Sequence, residues 1–276
     1  MDTDQEIEVQ LKSSADFQQP YQTPFYQILL FKGKGSFIVD FTEYTFSGNT
    51  ILFLTPYQCF QWNSPATIEM ECLRFHGDFY CIEYHKKEVA CNGLLFNNIY
   101  LAPHITISDS IYSEISALLL KIEDEKQVGS NFSSAILKAY LQLILALCSK
   151  EKSIYLNNGA LNGSSLPELV HFQELLEQNF IQERSPAFYA SKTHLTPNAF
   201  GKNIKKQFGK TPTQLIQERV ILEAKKLLHL THKSVKEIAA ELNFEDEFYF
   251  SRYFKKSVGL SPLHYREDVG ISIVAK

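Results

Sequence analysis

The chain has 276 residues, enough for two domains of ordinary size, and 45 % of its residues are apolar against 21 % charged. This composition is typical of a globular protein and excludes a disordered chain, a collagen and a coiled-coil rod. No apolar run approaches the roughly 18 residues of a membrane-spanning helix, and the acidic, polar N-terminus is unlike a signal peptide. The five cysteines form no CxxC pair, which argues against a zinc site and a secreted disulfide framework. The sequence predicts a cytoplasmic protein with no membrane partner.

Charge is distributed unevenly along the chain. The formal net charge is −4 overall, but it is −7 up to Ser165 and +3 over the 111 residues from Leu166 onward. Such an asymmetry favours a polyanionic partner for the basic half. Because +3 is a small charge for that length, it supports a nucleic-acid partner only together with a motif.

The first hundred residues are expected to form β-strands. Segments rich in β-branched and aromatic residues alternate with turn-forming residues, and they comprise residues 25–31, 37–41, 50–55, 68–75 and 79–84. The stretches Gly33-Lys34-Gly35 and Ser47-Gly48-Asn49 are predicted to be turns. Short strands at this spacing predict a sandwich or a small barrel. Four aromatic side chains either line a pocket for a small organic effector or fill a core without a ligand: Tyr26, Phe37, Phe53 and Trp62.

Two amphipathic helices follow, the first capped by Ser108 or Ser110. The second, over residues 132–148, carries two apolar stripes, one made of Phe132, Ile136, Tyr140, Leu143 and Leu147, the other of Leu137, Leu141, Ile144 and Cys148. A helix that is apolar on two sides is buried on two sides, and the sheet can cover only one of them. We expect a second copy of the chain to cover Leu137, Leu141 and Ile144 in a homodimer. The alternative is that both stripes belong to a core within one chain.

Residues 151–165 are rich in Asn, Gly and Ser, which is typical of a linker. The sequence therefore predicts an N-terminal domain over residues 1–150 and a C-terminal domain over residues 166–276.

The C-terminal domain contains an internal repeat. The segment KKQFGKTP, from Lys205 to Pro212, recurs fifty residues later as KKSVGLSP, from Lys255 to Pro262. Further upstream the offset becomes 49, because Tyr189-Ala190 matches Ile238-Ala239. The second copy therefore has one extra residue in the turn between its helices.

Each copy is predicted to form a helix-turn-helix. In the second copy, Ser234 and Glu237 have the spacing of a capping box. Asn243 occupies the turn, where Asn tolerates a left-handed backbone. Asp246 caps the next helix, and Gly259 ends it.

A long helix is predicted between the two copies. Beyond Pro212 the chain contains neither Gly nor Pro up to Leu230, which predicts one helix of about 18 residues, roughly 27 Å long. Such a spacer would hold two recognition helices about 34 Å apart, one turn of B-DNA, so that both enter the major groove. The major groove of RNA is too deep and narrow for side chains to read. The spacing therefore predicts double-stranded DNA as the partner.

Residues 166–267 resemble the DNA-binding domain of the AraC/XylS-type bacterial transcriptional regulators. The similarity is carried by SVKEIAAELNFEDEFYFSRYFKKSVGLSPLHYR, from Ser234 to Arg266. Two positions depart from the family pattern: Asn243 stands where Gly is usual, and Phe248 where small or polar residues are common. The N-terminal part is similar to the cupin-like regulatory barrel of many members through its strand spacing, the glycines at 33 and 35, and residues 47–56.

The resemblance implies an α+β protein of two domains. The first is a cupin-like β-barrel with two dimerisation helices, and the second is an all-α domain with two helix-turn-helix motifs joined by a long helix. It further implies a sequence-specific transcriptional regulator, an activator that responds to a small-molecule effector. Double-stranded DNA, a second copy of the chain and RNA polymerase are then its partners, and no cofactor is expected.

Alignment of the two copies predicts which side chains face DNA. They are Thr196, Asn198, Lys202, Lys205 and Lys206 on the first recognition helix, and Asp246, Glu247, Phe248, Tyr249, Ser251, Arg252, Lys255 and Lys256 on the second. Asn suits the edge of adenine and Arg or Lys that of guanine. The four lysines 205, 206, 255 and 256 are expected to touch phosphate or only solvent.

An enzyme is the alternative interpretation, namely a metal-dependent cupin fused to an accessory helical domain. Metal-binding cupins cluster their histidines, whereas His76, His85 and His104 are scattered and no HxH pair precedes residue 166. The sequence also lacks a GxSxG motif and a P-loop. We therefore expect no enzymatic activity, no catalytic residue and no metal.

Overall fold

The structure is a computed structural model that describes residues 6–82, 94–157 and 167–271. It divides into two compact units. The sheet unit comprises Met1–Asn98 and Ala102–Tyr155, and the helical unit comprises Ile99–Leu101 and Leu156–Lys276. The boundary after Tyr155 lies within the segment predicted to be a linker, of which residues 158–165 fall outside the described part. In the described ranges no helix is both long and apolar enough to cross a membrane.

The described residues of the sheet unit form one antiparallel sheet, on which two helices pack. Its strands are β1 (Ile7–Ser13), β2 (Tyr26–Val39), β3 (Thr42–Leu54), β4 (Phe60–Trp62), β5 (Glu69–Phe75) and β6 (His104–Ile107). A short 3-10 helix, Ser14–Phe17, follows β1. The strand order is β1-β5-β2-β3-β6, and β4 also pairs with β2. Residues 79–82, predicted to begin a strand, are not part of one, although Phe79, Tyr80 and Ile82 are buried; residues 83 and 84 lie outside the described part.

The two predicted glycine turns are wrong, because both lie inside strands. Gly33 pairs with Gly48, and Gly35 pairs with Phe46, within a β2–β3 ladder that continues to Val39 and Thr42. The chain reverses at Asp40, whose φ is 54°. A side chain at Gly35 would bring Cβ within 2.4 Å of the Ser64 hydroxyl. This glycine therefore permits a close approach within a strand rather than a reversal.

The sheet has two apolar faces, and they divide the predicted effector residues. Tyr26 and Phe53 belong to the core between the sheet and its helices. Phe37 and Trp62 belong to a separate core on the opposite face, with Phe31 and Phe46. Successive side chains of a strand point to opposite faces, so even-numbered Tyr26 and odd-numbered Phe37 of β2 cannot line one pocket. The prediction of a single pocket formed by all four aromatics is wrong.

Two helices cover one face of the sheet: α1 (Asp109–Val128), capped by Ser108 as predicted, and α2 (Ser133–Tyr155). The prediction that Leu137, Leu141 and Ile144 form an uncovered stripe is wrong, since all three are buried in the core of the sheet unit. The physical reason is that this stripe, rather than the other, packs against the sheet and α1.

The other stripe is the more accessible one. Phe132, immediately before α2, is 75 % exposed, and Leu143 is 45 % exposed. Ile136, Tyr140 and Leu147 are half-buried. Two further exposed apolar side chains lie on α1, Leu120 and Val128.

The helical unit contains seven helices within residues 167–271. They are α3 (Pro167–Asn179), α4 (Pro186–Lys192), α5 (Pro197–Phe208), α6 (Pro212–Leu230), α7 (Val235–Glu241), α8 (Glu247–Val258) and α9 (Pro262–Val269). Residues of α6 that are buried include Leu215, Val220, Ala224 and Leu228. Their spacing of four to five residues keeps one face of the long helix in the core.

The segment Ile99–Leu101 packs as part of the helical unit. The Tyr100 hydroxyl donates to Glu177 of α3 at 3.0 Å, and the Tyr100 ring lies 5.7 Å from that of Phe208. The buried Lys210 amine donates to the Ile99 carbonyl at 3.2 Å and to the Glu218 carboxylate at 2.6 Å. Burial and the neighbouring carboxylate raise the pKa of Tyr100, so it remains a neutral donor.

Candidate DNA interface

The helical unit contains two helix-turn-helix motifs, α4–α5 and α7–α8, whose turns match in detail. Asn243 has a φ of 56°, as the sequence predicts, and His194 has a φ of 57° at the equivalent position of the first motif. The Leu195 amide donates to the Ala190 carbonyl at 3.2 Å, and the Phe244 amide to the Ala239 carbonyl at 2.9 Å. The repeat found in the sequence is therefore also a repeat of the backbone.

The second motif is one residue longer, and the structure locates that residue. In the first motif the cap Thr196 follows Leu195 directly, whereas in the second Glu245 intervenes between Phe244 and the cap Asp246. Thr196 Oγ1 accepts from the Ala199 amide at 3.3 Å, and Asp246 Oδ1 accepts from the Tyr249 amide at 2.7 Å. Both predicted DNA-facing caps thus also begin their helices.

Both recognition helices end in the same way. Gly209 and Gly259 have φ values of 71° and 94° and donate to the carbonyls of Lys205 and Lys255. Each is followed by a capped helix that starts with proline, at Pro212 and Pro262. The left-handed backbone at these positions explains why glycine stands in both copies.

The first helix of the second motif is fixed by a capping box. The Ser234 amide and hydroxyl donate to the Glu237 carboxylate at 2.7 and 2.8 Å, and the Glu237 amide donates back to the Ser234 hydroxyl. These hydrogen bonds hold the pKa of Glu237 below its ordinary value. The predicted capping box is confirmed.

The helix α6 joins the motifs as one uninterrupted helix of 19 residues, about 28 Å long at 1.5 Å per residue. Thr211 caps it, and Gln214 completes a capping box. The side-chain amide of Gln217, Nε2, donates to the Ser257 hydroxyl of α8 at 2.6 Å. The predicted spacer helix is therefore present and is fixed to the second recognition helix.

The predicted DNA-facing residues are exposed or half-exposed, while the apolar residues between them are buried. On α5, Phe200 and Ile204 face the core, and on α8, Phe250 and Phe254 do so. Glu247 and Ser251 are half-exposed, and the other predicted residues of both helices, together with the two caps, are exposed.

One exposed stripe runs along each recognition helix at a spacing of four and then three residues. On α5 it consists of Asn198, Lys202 and Lys205, and on α8 of Phe248, Arg252 and Lys255. The two stripes occupy equivalent positions at the offset of fifty. We call them the α5 stripe and the α8 stripe.

The cations on these helices are not neutralised within the described part of the chain. Elsewhere in the helical unit, Lys210, Arg219 and Lys233 form ion pairs with glutamates. Among the described residues, no ion pair involves the exposed cations of α5 and α8, namely Lys202, Lys205, Lys206, Arg252, Lys255 and Lys256. Both surfaces can therefore interact with a polyanion.

Two features of the helical unit were missed by sequence reasoning. The left-handed His194 could have been found by extending the 49-residue offset from Asn243. The contact of Arg184 with the second turn, in which its guanidinium carbon lies 3.8 Å from the centre of the Phe244 ring, joins residues distant in the chain and leaves no local signal.

The two described histidines of the sheet unit, His76 and His104, have different neighbours. His104 packs edge-on against Phe37 and Tyr44, and His76 accepts from the Asp78 amide at 3.3 Å; His85 lies outside the described residues. Burial lowers the pKa of His104 to about 4, helped by the charge of Lys152. Over residues 6–82, 94–157 and 167–271, no group of three His, Cys, Asp or Glu side chains is arranged to hold a metal ion.

A family model described as a helix-turn-helix domain matches residues 189–268, which span both motifs from α4 to α9. The C-terminal domain is an AraC-type helix-turn-helix domain. The match contains both motifs, their joining helix and the greater part of α9.

The similarity to curated proteins extends beyond the AraC-type domain. The chain is 24 % identical over 259 residues to the HTH-type transcriptional activator RhaS of Shigella dysenteriae, covering 92 % of this chain and 88 % of that protein. It is 22 % identical to the HTH-type transcriptional activator RhaR of an Enterobacter species, covering 87 % and 83 %. Among solved structures, ToxT of Vibrio cholerae matches with 16 % identity and a TM-score of 0.41, over 95 % of this chain and 98 % of that one.

Proposed function

We propose that this protein regulates transcription by binding double-stranded DNA through α5 and α8. The observation that carries the proposal is the duplication of one motif, down to its left-handed turn, with an exposed stripe at the same positions of both recognition helices. In helix-turn-helix proteins the second helix of the motif enters the major groove, and residues in its N-terminal part contact the bases. The match to an AraC-type domain supports the same conclusion.

Within each helix the residues divide by the part of DNA they reach. Asn198 and Arg252 carry groups that form paired hydrogen bonds with a purine, Asn with adenine and Arg with guanine. Lys205, Lys206, Lys255 and Lys256 lie in the last turns, and we assign them to phosphate. Phosphate contacts supply affinity and its dependence on salt, whereas base contacts supply sequence choice.

The proposal is tested by binding of the full chain to duplex fragments of its genome as a function of salt. Each neutralised phosphate releases counterions, so the association constant is expected to fall steeply between about 50 and 200 mM salt. A small set of fragments should be retained at the higher salt. Binding that is independent of salt, or equal for all fragments, would contradict the proposal.

We also propose that the protein acts as a homodimer. The covered stripe of α2 is unavailable, so the proposal rests on the exposed one, with Phe132 and Leu143. Monomers rarely leave a large apolar patch in water, and a two-fold partner presenting the same patch would cover it. Two copies would bind two half-sites.

The remaining parts of the proposed function follow the relatives. Those relatives are named transcriptional activators, which supports activation of transcription by this protein. An activator acts on RNA polymerase, so we propose the polymerase as a further partner and the cytoplasm as the location. We propose that a small-molecule effector binds the sheet unit. Its site is not a pocket lined jointly by Tyr26, Phe37, Phe53 and Trp62, because these residues lie on two faces of the sheet. The metal-dependent enzyme is the weaker alternative, because both relatives are named as transcriptional regulators. Stoichiometric iron, manganese or zinc in the purified protein would revive it.

A further inference from the structure

The α5 stripe and the α8 stripe differ in chemical character at one position. Asn198 and Phe248 each stand two residues after the cap of their recognition helix, at Thr196 and Asp246. The next members of the stripes are cationic in both copies, Lys202 and Arg252. Only the first position differs in kind: Asn198 has a side chain with two hydrogen-bonding groups, and Phe248 has a side chain with none.

Phe248 does not belong to the apolar core of the helical unit. It is 67 % exposed, whereas Phe244, Phe250 and Phe254 are buried. The ring of Tyr249 contacts Phe244 at 5.8 Å, but among the described rings none contacts that of Phe248. The exposed surface of this ring can therefore contact a molecule that binds at the start of α8.

The surroundings of Phe248 disfavour a phosphate at this point. Glu245 and Asp246 are exposed and Glu247 is half-exposed, so three carboxylates precede the ring. These negative charges repel the negatively charged DNA backbone. The cations of α8 lie further along the helix, from Arg252 onward. When α8 lies in the major groove as proposed, its start is therefore better suited to bases than to backbone phosphate.

Among the groups that base pairs present in the major groove, the 5-methyl of thymine is the only alkyl group. An exposed Phe cannot accept or donate a hydrogen bond, but it can cover that methyl group and remove it from water. In the first motif, Asn198 at the same position suits adenine instead.

We propose that Phe248 recognises thymine through its 5-methyl group, so that the two recognition helices read chemically different base pairs at equivalent positions. This inference rests on the proposed DNA binding and assigns the base that one position selects. It predicts a thymine at a fixed place in the part of the site read by α8, and no such requirement in the part read by α5.

The test uses the full chain and duplexes selected by it from a random-sequence DNA pool. Each thymine in the selected duplex is replaced singly by uracil, which pairs identically and lacks only the methyl group. At one position the replacement should lower affinity about fourfold, the effect expected for one buried methyl-sized group. Phe248→Ala should lower affinity for the thymine duplex and bind the thymine and uracil duplexes equally.

Two further variants keep the result unambiguous. Asn198→Ala should leave the thymine-to-uracil effect at that position unchanged, since it removes the equivalent residue of the other helix. Phe248→Asn should shift the selected base at that position from thymine towards adenine.

The outcomes separate the two proposals. If no duplex is enriched, DNA binding itself is wrong and this inference falls with it. If duplexes are enriched but uracil is tolerated everywhere, or if the loss with uracil persists in Phe248→Ala, only the assignment of Phe248 is overturned. Normal DNA binding by Phe248→Ala would likewise overturn it and would point to a protein partner at this ring.

Discussion

The guanidinium of Arg184 lies over Phe244, with its central carbon 3.8 Å from the ring centre. The same group donates hydrogen bonds to the backbone carbonyls of Leu242 and Asn243. Arg184 precedes α4, so a residue at the start of the first motif holds the turn of the second. Burial lowers its pKa from the ordinary value of arginine.

Arg184→Ala should weaken the second motif. It removes a cation–π contact and leaves carbonyls of the turn without their donor, with an expected loss of about 2 kcal/mol in the free energy of unfolding. Arg184→Lys keeps the charge but not the planar fork, so it should restore only part of the loss. Hydrogen exchange of the amides in α7 and α8 measures the effect. Unchanged exchange in Arg184→Ala would show that the turn holds its shape alone.

His194 adopts a left-handed backbone at a position where glycine is usually favourable. Its side chain is exposed, so His194→Gly loses no buried contact. Relief of the left-handed conformation, worth about 1 kcal/mol, is partly offset by the greater freedom of glycine in the unfolded chain. The free energy of unfolding should rise by about 0.5 kcal/mol, and His194→Val should lower it. Urea denaturation followed by circular dichroism compares the three chains, and a stabilising Val would contradict the expectation.

His104 should make the sheet unit sensitive to acid. Burial lowers its pKa to about 4 from an ordinary 6.5, so below pH 6.5 the unfolded chain takes up a proton that the folded chain does not. The free energy of unfolding should therefore fall as the pH drops from about 6.5 to about 4. Trp62 is the single tryptophan of the chain and is buried in the sheet unit, so its fluorescence reports this transition. His104→Gln should show a smaller decrease in stability over the same pH range, and an identical profile would exclude His104 as the cause.

The exposed stripe of α2 should carry the dimer. Phe132→Glu combined with Leu143→Glu places two charges on exposed positions, and should give a folded monomer in sedimentation velocity. Leu141→Glu is the matched comparison, because Leu141 is fully buried and a charge there should unfold the sheet unit instead. An unmodified chain that sediments as a monomer at micromolar concentration would rule out this interface.

What the sequence predicted correctly depends on local signals. The caps at Thr196, Asp246 and Ser261, the glycines that end both recognition helices, and the uninterrupted α6 are each encoded within a few residues. The internal repeat added independent support, because two copies of one pattern had to be explained together.

What it predicted wrongly depends on pairing between distant residues. Gly33 and Gly48 suggest turns until each is seen opposite the other in one ladder. Which stripe of α2 is buried depends on which one packs against the sheet. Because both stripes are apolar, the sequence of the helix alone does not distinguish them. The attachment of Ile99–Leu101 to the helical unit, through Lys210 and Glu177, likewise has no local cause.

The most direct measurement of the central claim compares Arg252→Ala with Lys256→Ala on a selected duplex and on a random one. Arg252 is assigned to guanine, so its loss should cost about 1–3 kcal/mol on the selected duplex and relax the choice at one base position. Lys256 is assigned to phosphate, so its loss should weaken both duplexes alike and reduce the dependence of binding on salt. Equal effects of both variants on both duplexes would contradict the claim that α8 reads bases.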